Sequence, residues 1–311
     1  SIHFCNSYAT LLNITNSSNI IINGINFLKT RGVGVKITNS ENIKLQNCTF
    51  SNLGSHGVYI SDSKNCGIIG SDIKNTGKTG IYITEGKPSG ELIPKRNYIQ
   101  NCMIADITDA GGIFVRGVGN VISHNLIKNI GATGISIDHA NECIAEYNEI
   151  TACAKKIDDC GAIYITGYGD SRGNHIRYNY IHDLRKLGDS GPQGVYFDDM
   201  SSDNYAYGNI IARNGGNGGF VHNGAENVFF NNIFIGSTSA VKEWSDYYTS
   251  FGDNYWKSAA VGMNSLCAYM DTDNAATYID VTKQPWKGRY PTLLDFTSKM
   301  KRHIEERSTP G

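Results

Sequence analysis

Along most of this chain apolar and polar residues alternate in bursts of four, each opened by a small residue. With Φ for an apolar residue, the phrase Gly-Φ-x-Φ occurs as Gly34-Val-Lys-Ile, Gly57-Val-Tyr-Ile, Gly80-Ile-Tyr-Ile, Gly112-Ile-Phe-Val and Gly134-Ile-Ser-Ile. It continues as Ala162-Ile-Tyr-Ile, Gly194-Val-Tyr-Phe and a degenerate Gly218-Gly-Phe-Val, at intervals of 23, 23, 32, 22, 28, 32 and 24 residues. Strict alternation predicts half-buried strands. The minimum interval of 22 to 24 residues predicts one coil of a parallel β-helix, and the longer intervals predict coils with inserted loops.

Two asparagine columns keep step with the glycines. Asn19, Asn42, Asn65, Asn97, Asn120, Asn141, Asn174, Asn204 and Asn227 open a second strand. Asn125, Asn148, Asn179, Asn209 and Asn232 open a third. Stacked amides at a repeated turn can satisfy backbone groups that the sheets leave unpaired. These asparagines are therefore expected to form ladders rather than ligand contacts.

In each burst the two Φ residues point inward and the residue between them points out. The outward row reads Lys36, Tyr59, Tyr82, Phe114, Ser136, Tyr164, Tyr196 and Phe220. Two residues on, a polar row reads Thr38, Ser61, Thr84, Arg116, Asp138, Thr166, Asp198 and His222. An aromatic stripe beside a polar one, broken at Ser136, offers platforms for the apolar faces of sugar rings. Such a stripe can equally stabilise a sheet face by stacking on itself.

The pattern breaks near Ser237. Coils are thus expected over 1–236, followed over 237–311 by an irregular, aromatic-rich segment with a helix from about Thr292 to Glu306, capping or interrupting the coils. With 35 Gly, 6 Pro and 40% hydrophobic residues, the composition fits short strands and tight turns. A net charge of −1 gives no reason to expect a nucleic-acid partner, and no apolar run is long enough for membrane insertion. A monomer is expected. Of the eight cysteines none forms a CxxC pair; buried free thiols inside the repeat are expected. Ser1 opens directly into repeat-like sequence without a signal peptide or start Met, as a trimmed or fragmentary chain would.

Acid–base groups are densest between Asp158 and Gly224. Glycoside cleavage commonly needs two carboxylates facing one bond, about 5 to 5.5 Å apart for retention and roughly 6.5 to 9.5 Å for inversion. Asp159 precedes one strand, Asp198 and Asp199 follow the next, and Asp138 shares the column of Asp198 two coils away, about 9 to 10 Å by strand spacing. Asp138 is therefore the substitute for either partner. His222, one coil beyond Asp198, is placed to polarise a carboxylate or grip a hydroxyl. Arg116 could orient a carboxylate or bind an acidic sugar; His139, Tyr164 and Tyr196 complete the substrate-binding candidates. Glu85 and Glu226 read as surface residues. Asp198, Asp199 and His222 match no standard ligand spacing, so neither metal nor cofactor is expected.

The blocks DxGAIY (Asp159 to Tyr164), GNxIRYNYIHD (Gly173 to Asp183), GVYFDD (Gly194 to Asp199), YGNII (Tyr207 to Ile211), GGFVHNG (Gly218 to Gly224) and RYPTL (Arg289 to Leu293) resemble bacterial right-handed parallel β-helix glycoside hydrolases. The likeness is greatest to those acting on fucose- and xylose-containing plant-wall glycans. It implies an all-β, right-handed parallel β-helix, a single-stranded solenoid with a C-terminal irregular or helical segment. It also implies an extracytoplasmic enzyme, periplasmic or secreted, cleaving a plant or host poly- or oligosaccharide. Asp159 and one of Asp198 or Asp199 would match the catalytic acids, and His222 a pocket position. A polysaccharide lyase on the same fold and a non-catalytic glycan-binding β-helix are the alternatives.

Overall fold

The computed structural model describes residues 9–85, 92–167, 169–185, 187–188, 191–224, 226–244 and 268–270. Among them the chain winds through three parallel sheets of ten, nine and ten strands, visiting each once per coil. The first sheet runs from Leu12–Thr15 through Val35–Thr38, Val58–Ser61, Ile81–Thr84, Ile113–Val118, Ile135–Asn141, Gly161–Thr166, Gln193–Phe197 and Gly219–His222 to Val241–Trp244. The second runs from Ser18–Asn23 to Val228–Phe230, the third from Asn26–Thr30 to Ala268–Met270. The fold is the expected parallel β-helix, and the registers reproduce the sequence intervals: Val35 pairs with Val58, Ile135 with Ile163 and Ile163 with Val195.

Close packing of the coils explains the recurring glycine. A β-carbon at Gly34, Gly112 or Gly194 would lie 2.5, 2.7 or 2.3 Å from the carbonyl oxygen of the glycine one coil on. No side chain fits there. The inward Φ residues fill the bore: Val35, Ile37, Val58, Ile60, Ile81, Ile113, Ile135, Ile137, Ile163, Ile165 and Val195 are fully buried. Phe197, Phe229 and Phe234 take over the filling in the last coils.

The asparagine columns divide into two kinds. Asn174 donates to Asn204 Oδ1 at 2.9 Å and Asn204 to Asn227 at 3.1 Å. Asn125, Asn148, Asn179, Asn209 and Asn232 form an unbroken buried ladder at 2.9 to 3.0 Å. Asn19, Asn42 and Asn65 instead sit one position earlier, exposed, with left-handed φ of 58°, 55° and 52°. Asn141 is also off the ladder; Cys143 holds its place, donating its N–H to Asn174 Oδ1 at 3.0 Å. The sequence columns merged a ladder with a neighbouring turn row because both favour Asn, for hydrogen bonding and for the left-handed conformation respectively.

Cys66 and Cys143 in one turn column, and Cys48 and Cys102 in the other, substitute for the ladder amide, with sulfur directed at carbonyls of the preceding coil. These four, Cys153 and Cys160 are buried free thiols, as expected. Past residue 236, Val241–Trp244 extends the first sheet and Ala268–Met270 the third. The helix expected near Thr292 to Glu306, and RYPTL, lie outside the described residues.

Candidate active site

The outer face of the first sheet carries the stripe expected from the alternation, in two unlike halves. In the early coils Tyr59 and Tyr82 stack at 5.4 Å with an interplanar angle of 2°, and Tyr82 and Phe114 at 4.3 Å and 4°. The Lys36 ammonium covers the free face of Tyr59 at 5.6 Å, and the Arg116 guanidinium that of Phe114 at 5.8 Å. The pile is closed at both ends. It presents ring edges, so these aromatics are not sugar-stacking platforms.

In the later coils the pile gives way. Tyr164 and Tyr196 meet edge to face at 5.2 Å and 77°, their hydroxyls drawn to carboxylates. Tyr164 donates to Asp198 Oδ2 at 2.5 Å, and Tyr196 to Asp159 Oδ1 at 3.4 Å. Asp198 Oδ1 accepts the Asp199 backbone N–H at 2.8 Å and His222 Nδ1–H at 2.6 Å. Asn223 Nδ2 lies 2.7 Å from His222 Nε2 and donates to it in the tautomer that carries its proton on Nδ1. Asp198 is only 5% exposed and both its oxygens are engaged. Asp199, at the left-handed φ of 45° that ends the strand, is half-buried and takes a long bond from Thr166 Oγ1 at 3.3 Å. Asp159 lies at the exposed rim, on the loop that enters Gly161–Thr166. A β-carbon at Gly161 would come within 3.2 Å of Tyr196 Cβ, so glycine lets that loop pass close to the tyrosine.

The description "right handed beta helix region" matches residues 1–93 and 95–258, most of the chain. The chain belongs to the right-handed β-helix family. Among curated proteins, no sequence matches it significantly. Among solved structures, this right-handed β-helix is similar to the Azotobacter vinelandii mannuronan C-5 epimerase AlgE6 A-module, with 14% identity and TM-score 0.60 over 74% of this chain and 62% of that one. It is also similar to the periplasmic alginate epimerase AlgG, at 15% identity and TM-score 0.50, over 73% of this chain and 66% of that one. The A. vinelandii epimerase AlgE4 A-module aligns at 12% identity and TM-score 0.50, over 74% and 63%. The chain thus spans under two thirds of the length of these structures, and at such identities the likeness is one of fold.

On this β-helix Asp159, Asp198 and Asp199 gather around the crossed tyrosines. Partial desolvation and then the Asp198 charge raise the carboxyl pKa of both Asp159 and Asp199 above the ordinary aspartate value. Burial, followed by the same Asp198 charge, pushes the Tyr164 and Tyr196 phenols far up, so both remain hydrogen-bond donors. Asp198, Asp199 and His222 each bring one ligand-type atom within 4.8 Å of the others. A divalent cation there would have to displace the proton shared between His222 Nδ1 and Asp198 Oδ1.

The cluster gathers Asp159, Asp198, Asp199, His222, Tyr164 and Tyr196. It leaves out the other three candidates. Asp138 Oδ2 is bound by Arg116 Nε at 3.1 Å and by a second guanidinium nitrogen, so neither is free for substrate. His139 is buried and pairs through Nδ1 with Asp170 at 3.1 Å. Tyr196 is 3% exposed between Tyr164 and Phe220, which rules out the stacking role expected for it. Glu85, read from sequence as a surface residue, is half-buried, and its carboxyl fills the space where a side chain at Gly117 would stand. Burial foremost raises its pKa to about 7. The positive φ of Gly117 and the bulge between Val115 and Gly117 make that space, which strand periodicity alone did not reveal.

Proposed function

We propose that this chain is an extracytoplasmic glycoside hydrolase in which Asp159 and Asp199 perform the chemistry and Asp198 holds the site together. One observation carries the reading. Asp198 is saturated by Tyr164, His222 and the Asp199 N–H, which leaves Asp159 and Asp199 as the accessible carboxyls of the cluster. Asp159, at the rim and with its pKa raised by partial desolvation and then by the Asp198 charge, is the general acid that protonates the glycosidic oxygen. Asp199 acts as the base toward water or as the nucleophile at the anomeric carbon. Desolvation, and then the charge of Asp198, raise the pKa of Asp159, and the same charge faces the positive charge that develops on the sugar ring. His222 and Tyr164 hold Asp198 in place. A poly- or oligosaccharide substrate would lie along the outer face of the first sheet.

A reducing-end assay on a panel of plant-wall and host glycans tests this, with the wild-type chain beside Asp159→Asn and Asp199→Asn. Loss of about 10²- to 10⁴-fold in both variants, with unchanged circular dichroism, is expected. Release that survives both substitutions would move the chemistry elsewhere.

A second reading, a lyase or epimerase acting on uronates, draws on the likeness in fold to the epimerases and on the Tyr164–Asp198–His222 chain of proton-carrying groups. Against it, Arg116, the cation of the polar row, is committed to Asp138. Such chemistry calls for a positive group to neutralise the uronate carboxylate. An unsaturated, ultraviolet-absorbing product, or solvent-proton exchange at the sugar without chain cleavage, would favour this reading over hydrolysis. Retained glycan binding with no product would favour the non-catalytic β-helix.

A further inference from the structure

The second sheet carries a groove of its own, on a different sheet from the acidic cluster. It runs along the solenoid axis over the early coils, encloses about 370 Å³ and is lined by Asn19, Ile21, Asn42, Lys44, Asn65 and Tyr98. One wall is the row of exposed amides, in which Asn42 Nδ2 donates to Asn19 Oδ1 at 3.0 Å. The floor is the outward row that pairs Ile21 with Lys44, Lys44 with Gly67 and Gly67 with Tyr98. The Tyr98 ring lies across Gly67: a β-carbon there would be 2.0 Å from the ring. Gly67 has no positive φ to explain it, so its lack of a side chain serves the ring.

The left-handed turn favours asparagine but does not require it. Farther along, the same left-handed position is held by Arg96, Glu142, Asp203 and Glu226, with φ of 56°, 54°, 54° and 57°. Neutral amides occupy it only where the groove runs. Planar amides with spare donors and acceptors, a tyrosine ring laid against the sheet and an ammonium are together a set that recognises hydroxyl-rich rings. Lys44 is the one charged group of the lining.

We propose that this groove is a second, non-catalytic glycan-binding site, with Lys44 selecting chains that carry uronate carboxylates over neutral ones. It would anchor the protein on a polysaccharide while the first sheet acts on the same or a neighbouring chain. The proposal does not depend on which reaction the acidic cluster performs.

Affinity electrophoresis of the full chain through gels containing polygalacturonate, alginate or xyloglucan tests it, with Tyr98→Ala, Lys44→Gln and Asp199→Asn run in parallel. Retardation by the two polyuronates is expected to exceed that by xyloglucan. Tyr98→Ala should weaken it by about threefold to tenfold, as loss of one aromatic contact would. Lys44→Gln should erase the preference for uronates, and Asp199→Asn should leave retardation unchanged. Turnover of a short soluble substrate should be the same in Tyr98→Ala as in the wild type. No retardation of the wild type by any of the three polymers would overturn the proposal. So would retardation lost in Asp199→Asn but kept in Tyr98→Ala and Lys44→Gln, which would assign all binding to the first sheet. Concentration-dependent self-association abolished by Tyr98→Ala would overturn it too, making the groove a contact between copies of this chain.

Discussion

The two halves of the outward stripe start from the same materials and reach opposite states. In both, aromatic residues occupy successive coils in register, about 4.8 Å apart, which is close to the spacing at which rings stack. Around Tyr59, Tyr82 and Phe114 that coincidence is used fully: the rings lie parallel, and Lys36 and Arg116 cover the ends. Around Tyr164 and Tyr196 it is refused, because the two phenols turn edge to face and give their hydroxyls to Asp198 and Asp159. In-register aromatics on a parallel sheet stack by default. A row becomes a site where carboxylates compete for its hydroxyls and outweigh the stacking.

The comparison breaks most sharply if the carboxylates of the two halves are exchanged in importance. Asp199→Asn should remove about 10²- to 10⁴-fold of glycan-cleaving activity, while Asp138→Asn should change kcat by no more than a few-fold. Their stabilities should move in opposite directions. Asp199→Asn relieves the desolvation, and then the repulsion from Asp198, that raise its carboxyl pKa, so its melting temperature at pH 7 should hold or rise. Asp138→Asn leaves Arg116 without its ion pair and should lower the melting temperature. Equal activity loss in both variants would mean that the halves form one extended site.

A smaller effect separates Asp198 from its neighbours. After desolvation, its charge is the next cause that raises both Asp159 and Asp199, so Asp198→Asn should shift the pH–rate profile of the remaining activity toward lower pH. Tyr164→Phe should lower kcat by about 10- to 100-fold, the worth of a hydrogen bond to a charged group. Activity lost with an unshifted profile in Asp198→Asn would make Asp198 itself the reacting carboxylate.

How much of this was legible in the sequence follows from what periodicity encodes. The coil length, the inward Ile and Val rows and the stripe were readable because glycine and the Φ-x-Φ alternation are local consequences of close coil packing. The orientation of rings within the stripe was not, since stacked and crossed tyrosines have the same spacing. The pairing of Arg116 with Asp138 was within reach, because the two are neighbours in the polar row and Arg116 was expected to orient a carboxylate. Asp159 was flagged by its place in the GAIY block, but its reach to Tyr196 comes from the loop that closes in at Gly161. One hint went unused. Lys36 and Arg116 bracket the early aromatics in the two outward rows, as end caps of a closed stack would.

In the early half the prediction concerns stability. Tyr82→Ala removes the middle ring and should cost about 1–3 kcal/mol, less than a fully buried aromatic because the row is partly exposed. Arg116→Ala should cost about 1 kcal/mol or more by uncapping Phe114 and stranding Asp138. Activity per folded molecule should stay within a few-fold of wild type in both. A large loss of kcat in Tyr82→Ala at unchanged stability would place substrate on that half.

The smallest effect concerns Glu85, beside the closed end of the ring pile. Burial raises its pKa from 4.5 to about 7; Lys95 and a hydrogen bond from Val118 oppose the shift, and Asp62 adds to it. Between those two values the folded protein keeps a proton that the unfolded chain releases. Stability therefore falls as pH rises from about 4.5 to about 7 and is flat above. Glu85→Gln removes the burden of ionising the buried carboxyl. After allowance for solvent screening at a half-buried group, the variant should be more stable than wild type by about 1–2 kcal/mol at pH 8. The advantage should shrink to nothing near pH 4.5, as denaturant melts at the two pH values would detect. Glu85→Gln that is less stable than wild type at pH 8 would mean that the ionised carboxyl is held by an attraction, most directly to Lys95. The closed half would then contain a charged centre of its own.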